Sequence, residues 1–466
     1  KTMFLTGTDE HGQKIQKAAE KKSIEPIDLC DKNSAKFREL TKILNLSNDD
    51  FIRTTEKRHI EGAESLWNKL LDSDDIYLDY YKGWYSVSDE TFYNEKDLIK
   101  QNDDTFKTIT GGPVEWIEEE SYFFKLSKYS DKLLKLYEEY PNFIMPKSRK
   151  NEVISFVKSG LRDLSISRNT FDWGIKVPND KKHIMYVWLD ALSSYPNSLG
   201  YISNNNSELS SYWSNTVHIV GKDILRHHAV YWPAFLMSAN LDLPKRIFAH
   251  GWWTNEGSKI SKSSGNAIDP IEIIGQFGLD QIRYFLLREI TFGSDGDFSI
   301  SALKSRINAD LSNDLGNLCQ RSLTMIVKHC DSIVPSGSQI TKSDKEFLSK
   351  ISNDLIGFSS LVENQEINIY IKKIWDIVGE ANKYFNDHKP WELKDSNKAV
   401  FENVLYVTAD IIKQIGVMIY PIMPDTSKKI LNFFLINEKN ISLESLKINI
   451  ENKNINNIKP LFPRVE

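Results

Sequence analysis

Across residues 1–300, short apolar runs end in polar, glycine-bearing loops; beyond them, amphipathic helical spacing takes over. Residues 3–7 form the first run, which closes on Gly7-Thr8-Asp9-Glu10-His11-Gly12 and is followed by a polar helical stretch to Lys22. That order predicts strand, loop, helix. Residues 184–189 form a second run, leading into a polar loop at Asp190-Ala191-Leu192-Ser193-Ser194-Tyr195. Residues 217–220 form a third, leading into Gly221-Lys222-Asp223-Ile224 and a helix through Trp232. In α/β folds ligands bind at the loops beyond the strands' carboxyl ends. Asp9 and His11 are therefore candidates, although Asp is also a common helix cap.

Between residues 77 and 124 the runs become aromatic and β-prone, broken at Lys82-Gly83 and Gly111-Gly112-Pro113, which predicts inserted hairpins. Residues 127–140 return to helix, with Tyr129, Leu133, Leu136, Tyr137 and Tyr140 on one face and Pro141 as its stop. After Asp297 breakers are few, Ser343 with Glu346 reads as a capping box, and Ile371, Ile374, Val378, Ala381 and Phe385 fall at helical spacing. An antiparallel bundle is expected there. Residues 436–459 read as loops, with residues 461–463 docking back. The chain divides into 1–77 and 166–300 as two parts of one α/β domain, 78–165 as a β-rich insertion, and 301–466 as an all-α bundle.

Composition narrows the class. At 466 residues and 40% hydrophobic, the chain can bury more than one core. The formal net charge of -5 excludes a broadly nucleic-acid-coating surface, so any RNA contact must be local. Cys30, Cys319 and Cys330 match neither a disulfide framework nor a zinc signature. The longest apolar stretch, residues 411–423, is interrupted by Lys413 and Gln414, so no membrane span is read; residues 1–12 do not read as a signal peptide, and free thiols in a reducing cytoplasm are expected.

The densest chemistry lies at residues 250–270. Lys259-Ile260-Ser261-Lys262-Ser263 sets two ammonium groups among hydroxyls, and Gly257 and Gly265 loosen the backbone on either side. A cationic loop of this kind suits a polyphosphate whose charge shifts during reaction, although Ser/Lys/Gly loops are more often solvated connections. The pattern does not fit the common P-loop.

Lys259-Ile260-Ser261-Lys262-Ser263 resembles the Lys-Met-Ser-Lys-Ser signature of class I aminoacyl-tRNA synthetases, and residues 250–257, His-Gly-Trp-Trp-Thr-Asn-Glu-Gly, resemble the methionyl-tRNA synthetase family in particular. Further resemblance lies in residues 4–15, 83–90, 113–127, 187–191, 221–234, 313–318 and 382–393. It implies a Rossmann-type class I catalytic domain with a β-rich connective-peptide insertion and a helix-bundle anticodon-binding domain. It implies activation of methionine by ATP with Mg2+ and transfer to tRNA(Met), with Lys259, Ser261, Lys262 and Ser263 catalytic. Gly221, Asp223, His250, Gly251 and Lys262 would face ATP. Asp9 would hold the methionine ammonium, and Trp188, Ala191, Tyr195 and His228 would line the side-chain pocket. Asn317, Arg321 and Trp391 would meet the anticodon. Many relatives carry zinc-binding cysteines in the insertion; this one has none, so no structural zinc is expected. His227 stands where relatives commonly carry Phe.

The pocket chemistry is sensible on its own terms. A thioether is apolar and polarizable, suited to aromatic walls with a donor such as the Tyr195 hydroxyl or an imidazole N–H at sulfur. Trp188 and Tyr195 are equally residue types that simply pack cores, and Trp391 equally one that half-buries after a helix end. Rival functions are a class I synthetase of another specificity, which would carry a large editing insertion or pocket cysteines, and a non-catalytic tRNA-binding module, which would lose the cationic loop. A monomer is favoured. No His-x-Gly-His signature is present, so a further stretch of about 40 residues upstream is expected, without which this chain would form little adenylate.

Overall fold

The computed structural model describes residues 2–86, 91–93, 95–101, 105–203, 208–260, 268–436, 441–456 and 458–466. It divides into two compact units, Lys1–Ala249 and His250–Glu466.

In the first unit Leu5–Thr8 pairs in parallel with Asp50–Arg53, and Arg246–His250 in parallel with Ile144–Met145. The Gln13–Glu20 and Lys57–Asp72 helices follow the first two of these strands. Parallel strands feeding helices are the signature of an α/β layer. Glu10 ties the first strand pair together from within: its buried carboxylate accepts from Arg53 Nε at 2.8 Å and from the Thr8 and Thr55 hydroxyls at 2.7 and 2.6 Å. The aromatic run becomes a long antiparallel ribbon, Ile76–Ser86 against Glu115–Phe124, in register from Ile76 opposite Phe124 to Tyr85 opposite Glu115. The core of this unit gathers Leu66, Trp67, Phe124, Trp213, Trp232 and Phe235, all essentially inaccessible.

The second unit is helical after a small sheet of Trp253–Asn255, Ser258–Lys259 and Gly296–Phe298. Ile367–His388 and Lys398–Met418 are its longest helices, and the expected stripe of Ile371, Ile374, Val378, Ala381 and Phe385 is buried. The carboxyl-terminal stretch is irregular, with a short turn at Leu443–Lys447, and docks back. Lys413, 2% exposed, donates to the Leu446 and Ile448 carbonyls at 2.9 Å each, and Phe462 is buried.

Three local expectations need correction. Asp190 to Tyr195 is not a loop but part of the Val187–Ser198 helix, because Met185 ends the strand and Tyr186 caps the helix at once. An apolar run of this length reads alike as buried strand or buried helix. The capping box opening Lys342–Gly357 uses Thr341 with Asp344, two residues before the expected pair. Tyr140 lies past the last turn of Ser130–Glu139, at φ -119 and ψ 81, and is exposed rather than on the buried face.

Candidate active site

The Val187–Ser198 helix is buried along its length except at Trp188, Ala191 and Tyr195. Residues spaced three and seven apart share one helical face, so these three form a single open strip on an otherwise enclosed helix. Trp188 stacks on His227 with ring centroids 3.8 Å apart and planes 16° apart. His227 therefore extends the aromatic wall. Burial, with His228 and Arg226 nearby, pushes its pKa down to about 3, so the ring is neutral.

Behind Tyr195 a chain of two directed bonds fixes the hydroxyl proton and the His228 ring proton. His228 Nδ1 donates to the Ile224 carbonyl at 3.0 Å, which leaves Nε2 to accept from the Tyr195 hydroxyl at 2.8 Å. Burial pushes the His228 pKa down to about 4, consistent with this neutral tautomer. Both donors expected at the sulfur are thus committed to the protein, and the site offers a thioether ring faces instead. His227 and His228 lie on a π-helical turn, His227–Tyr231, a widening of the helix that recurs at functional sites.

Asp9 stands exposed in the loop after Leu5–Thr8. Burial and the Asp9 charge together raise the Tyr195 pKa, so Asp9 is close enough to be felt at the open strip. The helix that follows is capped by Gly12 without a side-chain bond, so Asp9 is not its cap. The loop is clamped by Trp173: Nε1 donates to the Glu10 carbonyl at 2.6 Å, and its own carbonyl accepts from Gly12 N at 3.1 Å. Gly221 ends the Val217–Gly221 strand and Asp223 is exposed in the turn after it.

One group escaped the sequence reading. His59, in the first turn of Lys57–Asp72, and His11 both bond the buried Asp190, each at 2.6 Å. Burial opposes charge on Asp190 and on His11, yet His11 and His59 hold the Asp190 carboxyl down to about 2, and Asp190 in turn raises the His11 pKa. No sequence signal marks a histidine in a helix as the partner of a carboxylate some 130 residues away.

In the second unit His250 Nδ1 donates to the Gly251 carbonyl at 2.9 Å. Gly251 is obligatory: a Cβ there would stand 2.2 Å from the Ser294 carbonyl oxygen. The turn leading to the cationic loop is held by Asp297, whose Oδ1 accepts from the Thr254 hydroxyl at 2.5 Å and from Gly257 N at 2.8 Å. Gly257 takes the φ of 75° that this turn needs. Ser261, Lys262 and Ser263 lie outside the described residues, as does the side chain of Lys259. Among the described residues no group of His, Cys, Asp or Glu forms a ready metal cage.

The bundle carries a separate aromatic site. The Arg321 guanidinium lies 5.3 Å from the ring centres of both Phe385 and Trp391, and its Nη1 donates to Asn386 Oδ1 at 3.0 Å. Trp391 is 41% exposed. Asn317, one turn before Arg321, lines a cavity of about 570 Å³ shared with Asn313, Gln320, Leu461 and Arg464.

The family profile described as "tRNA synthetases class I (M)" matches residues 1–102 and 99–323, and that described as "Anticodon-binding domain of tRNA ligase" matches 344–460. The class is therefore a class I aminoacyl-tRNA synthetase with its helical RNA-binding domain. The methionine–tRNA ligase of Brucella suis biovar 1 (strain 1330) is 51% identical over 433 residues, covering 93% of this chain and 84% of that protein. That of Rickettsia felis is 52% identical over 441 residues, covering 94% and 85%. Mycobacterium tuberculosis methionyl-tRNA synthetase bound by methionyl-adenylate superposes with a TM-score of 0.95 at 43% identity, over 99% of this chain and 92% of that one. The chain belongs to the methionyl-tRNA synthetase family.

Proposed function

We propose that the protein is a methionine–tRNA ligase whose amino-acid site is the open strip of the Val187–Ser198 helix. The observation that carries this reading is that Trp188, Ala191 and Tyr195 alone break the burial of that helix. The methionine side chain would lie along those rings and against His228, with its ammonium at Asp9. With the Tyr195 and His228 protons already committed, neither donates to an amino acid with a hydroxyl or amide, and such a group left unpaired against them costs about 1–3 kcal/mol. A thioether loses little there.

The methionine carboxylate attacks the α-phosphorus of ATP, displacing pyrophosphate and leaving methionyl-adenylate, and the aminoacyl group then passes to tRNA(Met). Lys259 and Lys262 would stabilise charge gathering on the phosphates, with Ser261 and Ser263 as hydroxyl donors beside them. Gly221 and Asp223 would face the adenosine, and His250 and Gly251 are carried over as nucleotide-facing residues by the family resemblance. Mg2+ commonly binds through substrate phosphates and only one or two carboxylates, so it would arrive on the nucleotide. Asn317, Arg321 and Trp391 would receive unstacked anticodon bases. No helix among the described residues is long and apolar enough to cross a membrane; a cytoplasmic monomer is the accompanying proposal.

Amino-acid-dependent pyrophosphate exchange by the natural enzyme, run across a panel of amino acids, tests the reading. Methionine alone should support exchange, and a preference for another amino acid would overturn it. Elemental analysis should find no stoichiometric zinc; one tightly held zinc per chain would reveal ligands other than cysteine in the insertion.

A further inference from the structure

The helix that carries the open strip has a second face, and it is polar. At about 100° per residue, Trp188, Ala191 and Tyr195 fall within an arc of roughly 60°, while Asp190, Ser193 and Asn197 fall on the opposite side. All three of these are buried. Asp190 Oδ2 bonds His11 Nδ1 and Oδ1 bonds His59 Nε2, each at 2.6 Å, with Asp190 only 1% exposed. Asn197 Nδ2 continues the line, donating to the His59 carbonyl and to Ser193 Oγ, both at 3.1 Å. Packing is tight at this seam: a Cβ on Gly62 would meet Asn197 Oδ1 at 2.0 Å. One carboxylate therefore joins three elements: the loop that bears Asp9 two residues before His11, the helix that bears His59, and the helix that bears the strip.

Apolar side chains at 11, 59 and 190 would avoid the desolvation cost of a buried carboxylate, which is several kcal/mol per ion. What they would not supply is direction. Two short hydrogen bonds to opposite oxygens of one carboxylate fix both the distance and the angle between their donors, whereas apolar packing allows sliding. The elements so fixed are those that must receive the two ends of one amino acid.

We propose that Asp190, by holding His11 and His59 at once, is a positioning residue that sets the spacing between Asp9 and the Trp188–Tyr195 strip, and so governs methionine affinity without touching the ligand. The inference rests on the reading that Asp9 and the strip together take methionine. Misplacement by about 1 Å commonly costs on the order of a hundredfold, and the loss falls on the amino acid, not on the nucleotide.

The test measures, in the natural enzyme, the Kd for methionine by equilibrium dialysis and the separate KM values for methionine and ATP in pyrophosphate exchange. Asp190→Asn keeps the volume but turns one acceptor into a donor facing an imidazole. It should raise the methionine constants about tenfold or more and leave the ATP KM within about twofold. His59→Ala should act in the same direction, and His59→Gln, which keeps a side-chain N–H donor, should recover much of the loss. An unchanged methionine Kd in a folded Asp190→Asn, or methionine and ATP constants rising together, overturns the proposal. If Asp190→Asn does not fold, the His59 pair decides: recovery by Gln supports positioning, and equal loss in Ala and Gln overturns it. A parent enzyme that prefers a different amino acid defeats the methionine reading instead, and the same comparison made with that amino acid still tests Asp190.

Discussion

The aromatic strip of the first unit and the aromatic platform of the bundle use the same side-chain types in opposite ways. Around Trp188 and Tyr195 the rings are held from several sides: His227 stacks, His228 accepts the Tyr195 proton, and Asp190 anchors the helix from behind. Around Trp391 the arrangement is open, with one guanidinium beside two neighbouring rings and 41% of the tryptophan in solvent. The difference follows from the ligands these surfaces would take. A small amino acid must be told from its near-isosteres, which requires a preformed site where a wrong polar group finds nothing to bond. Loop bases bring large flat faces and phosphate charge, so stacking and one cation serve them, and the surface can stay wet.

That contrast predicts separable defects. The largest belongs to neither surface: Lys262→Ala should slow adenylate formation by about 10²–10³-fold, the usual scale for losing one group aimed at developing charge. Methionine Kd should stay at the parent value, because the charge acts on phosphate in the transition state. A weakened Kd with an unchanged rate would move the lysine from chemistry to binding. Next, Asp9→Ala should weaken methionine by about 2 kcal/mol, roughly thirtyfold, at the low end for losing one partner of a charge pair because Asp9 is exposed. Equal affinity in mutant and parent would leave the ammonium without its proposed partner. Trp391→Ala should lower kcat/KM for tRNA by about 1–3 kcal/mol per lost stack while pyrophosphate exchange continues at the parent rate. Loss of both activities together would mean that the bundle had unfolded, and the contrast between the two surfaces would lose its support.

Much of the first surface was legible from the chain. Strand runs ending in polar loops placed Asp9 and Gly221 correctly, because a buried strand and a breaker leave a plain record in sequence. Trp188, Ala191 and Tyr195 were named together through family resemblance, but their common cause, one face of one helix, was hidden while residues 190–195 were read as a loop. The Asp190 network was hidden for a different reason. Its members are far apart in sequence, and nothing in local periodicity distinguishes a histidine that donates to a buried carboxylate from one that merely packs. On the bundle, helical spacing foretold the buried stripe through Ile371 and Phe385, and Trp391 stood out beside Pro390. Arg321 lying over both Phe385 and Trp391 needed the tertiary fold, since the partners sit on different helical segments.

The smallest expected effect probes the enclosed strip most directly. Tyr195 donates its hydroxyl proton to His228 Nε2 at 2.8 Å, and His228 spends its own proton on the Ile224 carbonyl at 3.0 Å. If the sulfur meets only ring faces, Tyr195→Phe removes no contact that methionine uses, and the methionine Kd should change by less than about fivefold. The cost falls on the protein instead. His228 Nε2 is left as a buried acceptor with no donor, a penalty of about 1–3 kcal/mol, which a denaturant titration of the ligand-free protein reads directly. Phenylalanine brings no anionic group to a ring whose pKa burial holds near 4 in the parent, so the imidazole should stay neutral and the stability loss should be flat between pH 6 and 8. A large loss of methionine affinity with unchanged stability would reverse the assignment. It would mean that the Tyr195 proton points at the sulfur when ligand is bound, and that the enclosed surface rearranges to meet its partner.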